Sequence, residues 1–163
     1  MITLEQLRMI IAESGPLLRA VHVEALDESS FLVAIDEDCI IRIDYDPKTC
    51  RLVLSSRLGT VGMMDRLEIY EQLLRYNFLW NHTGGVKVSL DSTDDDLVQS
   101  YEHFVRHLNV TEFCQLVTGF QRKVRVWQKL ILSSCRIQQN CDQQIAIGEE
   151  FDTSGCTTEA LRV

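Results

Sequence analysis

The chain has 163 residues, 45% of them hydrophobic, enough apolar side chains to close one core without disulfide or metal staples. Its 16 Lys plus Arg against 24 Asp plus Glu leave a net charge of −8, which repels phosphate backbones and anionic headgroups and argues against nucleic-acid binding and membrane insertion. The opening MITLEQLRMIIAESG lacks the basic and apolar regions of a signal peptide, and no run approaches the roughly 18 apolar residues of a membrane span, so a cytoplasmic protein is expected.

Thr3, with Gln6 three positions on, predicts a capped first helix whose stripe is Leu4, Leu7 and Ile11 and which stops at Gly15-Pro16. Residues 17–29 form a mixed connector in which Ala20-Val21-His22-Val23 is a candidate short strand. Three β-rich runs follow, FLVAID, CIIRIDY and RLVLSSRL, separated by the turns Asp36-Glu37-Asp38 and Asp46-Pro47-Lys48. Connections this short demand antiparallel hairpins.

Gly59 to Gly62 break the sheet, and residues 63–80, free of Gly and Pro, predict a second helix. It carries two apolar stripes, Leu67, Tyr70, Leu74, Phe78 and Ile69, Leu73, Tyr76, Trp80, where a surface helix needs one. Two arrangements accommodate this: a central helix sandwiched by its own chain, or a helix with one face on its sheet and the other on a symmetry mate. The second is favoured, with Ile69, Leu73, Tyr76 and Trp80 as the expected dimer contacts.

Thr83-Gly84-Gly85 ends that helix; VKVSL and, after the acidic turn Asp91 to Asp96, LVQSYEHF then form a hairpin. Asn109 with Glu112 predicts a cap, and Phe113, Val117, Phe120, Val124, Trp127 and Ile131 step by four and three along a long last helix. Beyond residue 135 the sequence turns polar, so a domain over 1–135 and a tail over 136–163, frayed helix or disordered, are expected. The predicted fold is α+β: an antiparallel sheet of about five strands with three helices, in the order α-β-β-β-α-β-β-α.

No phosphate-binding loop, dinucleotide fingerprint, zinc helix or nucleophile elbow occurs, and neither a cofactor nor a metal is expected. His103 and His107 are spaced for a metal pair on a helix, but they straddle a strand end, where that spacing does not converge. The run Asp91 to Asp96 has Thr93 and Asp96 where a calcium loop needs a ligand and a glycine. Asp36, Asp38, Asp44 and Asp46 are the only carboxylates grouped for acid–base work, and they lack a basic or nucleophilic neighbour. No catalytic residue is assigned. The six cysteines form no C-x-x-C pair and are expected as free thiols.

The element order, together with Leu58-Gly59, Asn77-Phe78-Leu79-Trp80, Thr83-Gly84-Gly85, Ser89-Leu90 and then Phe113, Phe120 and Trp127, resembles the class I type III secretion chaperones, the Tir-chaperone-like family. The resemblance runs from about Asp44 to Leu132; the connector and the polar tail are longer than that family usually carries. It implies a homodimer that binds the N-terminal segment of a secreted effector and keeps it secretion-competent, with the secretion ATPase as a further candidate partner. It also implies that the second helix lies at the dimer contact. The effector would add a short strand to the sheet and lay apolar side chains into grooves beside the first helix.

Candidate groove residues are Leu4, Leu7, Ile11, Leu32, Ile41 and Ile43, each of which reads equally well as core. The alternative functions are a non-secretory adaptor or regulator on the same fold and an enzyme with an unfamiliar site.

Overall fold

The computed structural model describes residues 2–63, 65–91 and 95–149, with side chains as far as residue 133 except Met64. Helix α1 (Leu4–Leu18) is followed by four strands, β1 (His22–Ala25), β2 (Ser30–Asp36), β3 (Cys39–Asp46) and β4 (Arg51–Thr60). Helices α2 (Arg66–Phe78) and α3 (Trp80–Thr83), strands β5 (Lys87–Leu90) and β6 (Asp96–Phe104) and the long helix α4 (Val110–Glu149) complete it. The fold is α+β as predicted. The six strands form one antiparallel sheet in the order β1-β2-β3-β4-β6-β5.

Register decides which residues meet the helices. Val33 pairs with Ile41, Phe31 with Ile43 and Ile43 with Leu54, so these side chains share one face and are buried. Leu32 pairs with Arg42 and so falls on the opposite face, which also carries the exposed Arg42–Asp44 and Arg51–Glu102 ion pairs. One face of the sheet is thus core and the other is polar, the usual division in an antiparallel sheet.

Helix α4 supplies most of the covering layer. Phe113, Val117, Phe120, Val124, Trp127 and Ile131 are all buried, the full stripe that the sequence spacing predicts. Both expected caps form: Thr3 Oγ1 accepts from Gln6 N at 3.2 Å, and Asn109 Oδ1 accepts from Glu112 N at 2.9 Å, each with the reciprocal side-chain bond. Each cap is worth about 1 kcal/mol.

Three expectations about the elements need correction. Helix α1 runs through Gly15-Pro16 to Leu18, because its final carbonyls are taken up by the N–H groups of Arg19, in the left-handed region, and Ala20. Gly15 serves contact: a Cβ there would sit 3.1 Å from Val23 Cγ2, so the glycine lets α1 lie close on β1. The candidate strand of the connector forms, as β1, making six strands where about five were predicted; its one inward apolar side chain, Val23, gives little periodic signal. The second helix breaks at Leu79, with α2 and α3 on either side. No Gly or Pro causes this break. Asn77 is tied to β5 at one end, and Thr83 O accepts from Lys123 Nζ of α4 at the other, so the two pieces follow different supports.

The backbone of α4 continues as helix past residue 135 to Glu149, across the position where the predicted domain ends; the rest of the predicted tail lies outside the described residues.

Candidate functional site: an open sheet edge and two apolar surfaces

The acidic turns are structural. Asp36 Oδ1 accepts from Asp38 N at 3.0 Å, and Asp46 accepts from Lys48 N and Thr49 Oγ1 at 3.0 and 2.7 Å. The Arg125 guanidinium on α4 pairs with Asp36 and holds its carboxyl below the ordinary range; the Thr49 hydroxyl does the same for Asp46. Carboxylates locked into turns and held ionised are poor general acids. Gln128 Nε2 donates to Asp38 O at 2.6 Å, so the first hairpin turn is clamped to α4 twice.

A lowered folded-state value means that the Asp36 contribution is present above the unfolded value of about 4 and is lost as pH falls through the lower folded one. Asp36→Asn should therefore lower stability by at most about 1 kcal/mol near neutrality, since the pair is partly exposed, and by nothing in strong acid. Urea unfolding at pH 7 and pH 2.5 checks this.

His103 stacks on Tyr101, and among the described residues no cluster of three or more His, Cys, Asp or Glu is placed to hold a metal. Cys39, Cys50 and Cys114 are free thiols; burial pushes the Cys39 thiol up, which makes it unreactive.

The six predicted groove residues divide. Leu7, Ile11, Ile41 and Ile43 are fully buried in the core, where no client can reach them. Leu4 and Leu32 are partly buried, Leu32 on the open sheet face. The unfilled groove beside α1 lies on the flank turned to the β6–α4 loop. It measures about 370 Å³ and is lined by Ile2, Met9, Ile10 and Leu108, with Glu13 and Arg106 among its charged residues. A second exposed feature is the edge of the sheet at β1, flanked by the exposed Val21 and Leu26. Leu26 N donates to Ser30 O at 2.9 Å, and alternation along the strand then turns the backbone groups of Val23 and Ala25 away from β2.

The predicted dimer contacts divide as well. Ile69 and Leu73 are buried in the chain's own core, and Tyr76 packs edge-on against Trp127 with ring centroids 5.1 Å apart. They form the inward stripe. Trp80 would continue it on an unbroken helix, but the break at Leu79 swings it out, leaving it 68% exposed.

The other stripe is the open one: Leu67 is 85%, Leu74 71% and Phe78 82% exposed, with Tyr70 half-buried beside them. Leu74 is shared between a hollow with Phe78 and Leu79 and another with Tyr70 and Leu90, so the apolar surface is continuous. A patch of this kind marks a contact surface more often than a solvated one.

An α+β sheet with one helical layer and this element order can be compared with known proteins. The model of the Tir chaperone protein (CesT) family matches residues 11–128, most of the chain. The chain belongs to the Tir chaperone protein (CesT) family. By that membership it is a type III secretion chaperone.

Solved structures agree on the fold. A chain of the ExsC-ExsE complex superposes with a TM-score of 0.67 at 17% identity, over 80% of this chain and 97% of that one. A chain of the HopA1-SchA chaperone-effector complex gives 0.61 at 15% identity, over 76% and 93%. YbjN of E. coli, described as a putative transcription regulator, gives 0.54 at 19% identity, over 84% and 94%. At such identities these likenesses speak to fold alone. Among curated proteins none matches.

Proposed function

We propose that the protein is a non-enzymatic cytoplasmic chaperone that works as a two-fold homodimer and holds the N-terminal segment of a type III effector in extended form. Family membership supports the chaperone reading. The observation that carries the mode of binding is the open β1 edge on one side of α1, with an unfilled groove of mixed apolar and polar lining on the other. An extended segment could pair its backbone with Val23 and Ala25 and place apolar side chains against Ile2, Met9, Ile10 and Leu108.

The backbone pairing contributes on the order of 1 kcal/mol per bond and reads little sequence. Each client Leu, Ile or Val that is buried contributes roughly 1.5–3 kcal/mol. The groove therefore sets affinity and the edge sets direction. The second copy of the chain occupies the Leu67–Leu74–Phe78 stripe, in an isologous contact that covers a surface too apolar to leave in water.

The test is a pull-down with this chain as bait from a secretion-competent cell, read by mass spectrometry. A secreted effector should be retained, and deletion of its N-terminal segment should abolish retention. Retention unaffected by that deletion, or of non-secreted proteins alone, would favour an adaptor or regulator instead.

A further inference from the structure

A six-stranded open sheet has two edges, here β1 and β5, and they differ in what faces them. The second edge is β5, whose four residues present Val88 and Leu90 outward. Asn77 on α2 covers this edge: its Nδ2 donates to Val88 O at 2.8 Å and its Oδ1 accepts from Val88 N at 2.9 Å. A carboxamide carries one donor face and one acceptor, so a single side chain presents what a residue of a neighbouring strand would present. Beyond Leu90 the β5–β6 hairpin is closed on its inner side, where Asp91 N donates to Asp96 O at 2.7 Å, so Val88 is the outward position that Asn77 holds. At β1, by contrast, no hydrogen bond among the described residues reaches the outward groups of Val23 and Ala25.

We infer that Asn77 is a specificity-determining residue that restricts strand addition to β1 by occupying the outward pairing position of β5 with its own side chain. Its position is enforced. Ile69 and Leu73 seat α2 in the core and Tyr76 packs on Trp127, which fixes the rotation of the helix and aims residue 77 at β5.

The need for such a cover is physical, since an unpaired strand edge recruits other chains. With both edges open, extended segments and copies of the chain itself would have two places to pair. With β5 covered, each protomer offers one. The inference rests on the strand-addition mode proposed above, but its test needs no client.

Asn77→Ala removes both bonds, and Asn77→Asp keeps the acceptor for Val88 N–H while setting a carboxylate against the Val88 carbonyl. The client-free proteins are followed by light scattering across a concentration series, with amide hydrogen exchange read at Val88. For Asn77→Ala the expected result is a reversible, concentration-dependent rise in species above wild-type mass, about tenfold or more. Val88 should be protected in those species and unprotected on dilution. Asn77→Asp should fall between the two proteins.

A merely structural tether predicts a lower Tm and faster Val88 exchange at unchanged mass, and that result would overturn the inference. Should Asn77→Ala fail to fold, Asn77→Asp is read by the same criteria. A separate binding measurement with an effector segment reports on the chaperone reading: loss of binding to wild type would sink that reading and leave the self-association result standing.

Discussion

Leu73→Asp and Leu74→Asp, substitutions at adjacent positions on α2, should have opposite consequences. Leu73 is 5% exposed in the core, so a carboxylate there loses the burial of a leucine and desolvates a charge, a cost of several kcal/mol. Against a typical total stability of about 5–15 kcal/mol, the variant should be largely unfolded or insoluble. Leu74 is 71% exposed in the isolated chain, so the same change should leave the protomer folded, with a circular dichroism spectrum like that of wild type.

The dimer should respond the other way. A two-fold contact presents each substitution twice, and losing two apolar contacts of roughly 1.5–3 kcal/mol each weakens association by at least about a hundredfold. Leu74→Asp, or Phe78→Asp with it, should therefore run as a folded monomer at concentrations where wild type is dimeric. A folded Leu73→Asp dimer would contradict the inward placement of that stripe.

The second large effect concerns the client. Met9 on the α1 groove is half-exposed and lies outside the core cluster, and Ala25 on β1 is exposed with its N–H turned outward. Met9→Asp should weaken client binding by roughly tenfold to a hundredfold, through the lost burial of a client side chain and the charge left beside it. Ala25→Pro should cost less, about tenfold, because an edge strand tolerates proline at an outward N–H and only client pairing is lost. Titration calorimetry with an effector's N-terminal segment measures both. If groove and edge are used together, the double variant should lose more than either alone. If Met9→Asp binds as wild type does, the groove beside α1 is not the client site.

Much of this fold was legible because the relevant signals are local. The α4 stripe from Phe113 to Ile131, the caps at Thr3 and Asn109 and the hairpins around Asp36 and Asp46 each depend on residues within a few positions of one another, and all of them form. What was illegible depends on distant partners. On α2 both stripes are equally apolar, and what faces the inner one inward is Trp127 of α4, some fifty residues later in the chain, together with the bond of Asn77 to β5. Without those contacts nothing distinguishes Leu73 from Leu74.

Four of the six groove candidates, Leu7, Ile11, Ile41 and Ile43, fall in the core for a related reason. The stripe Leu4, Leu7, Ile11 was correctly apolar, but a strongly periodic stripe is the signature of core, and the side of α1 proposed to meet the client is the irregular one holding Met9 and Ile10. On the sheet, Ile41 and Ile43 share a face and Leu32 does not, which follows from register alone and is invisible until Leu32 is seen opposite Arg42. Strand β1 was legible only as a candidate around Ala20 to Val23, because an edge strand with a single inward side chain has no alternation to read.

The central claim, a dimeric chaperone holding one extended client segment, is tested most directly by the mass of the complex. Co-expression with an effector's N-terminal segment, followed by size-exclusion chromatography with light scattering, should give a stable species of two chains of this protein and one client, with the client protected from protease. A strictly monomeric protein that elutes without the client would contradict it.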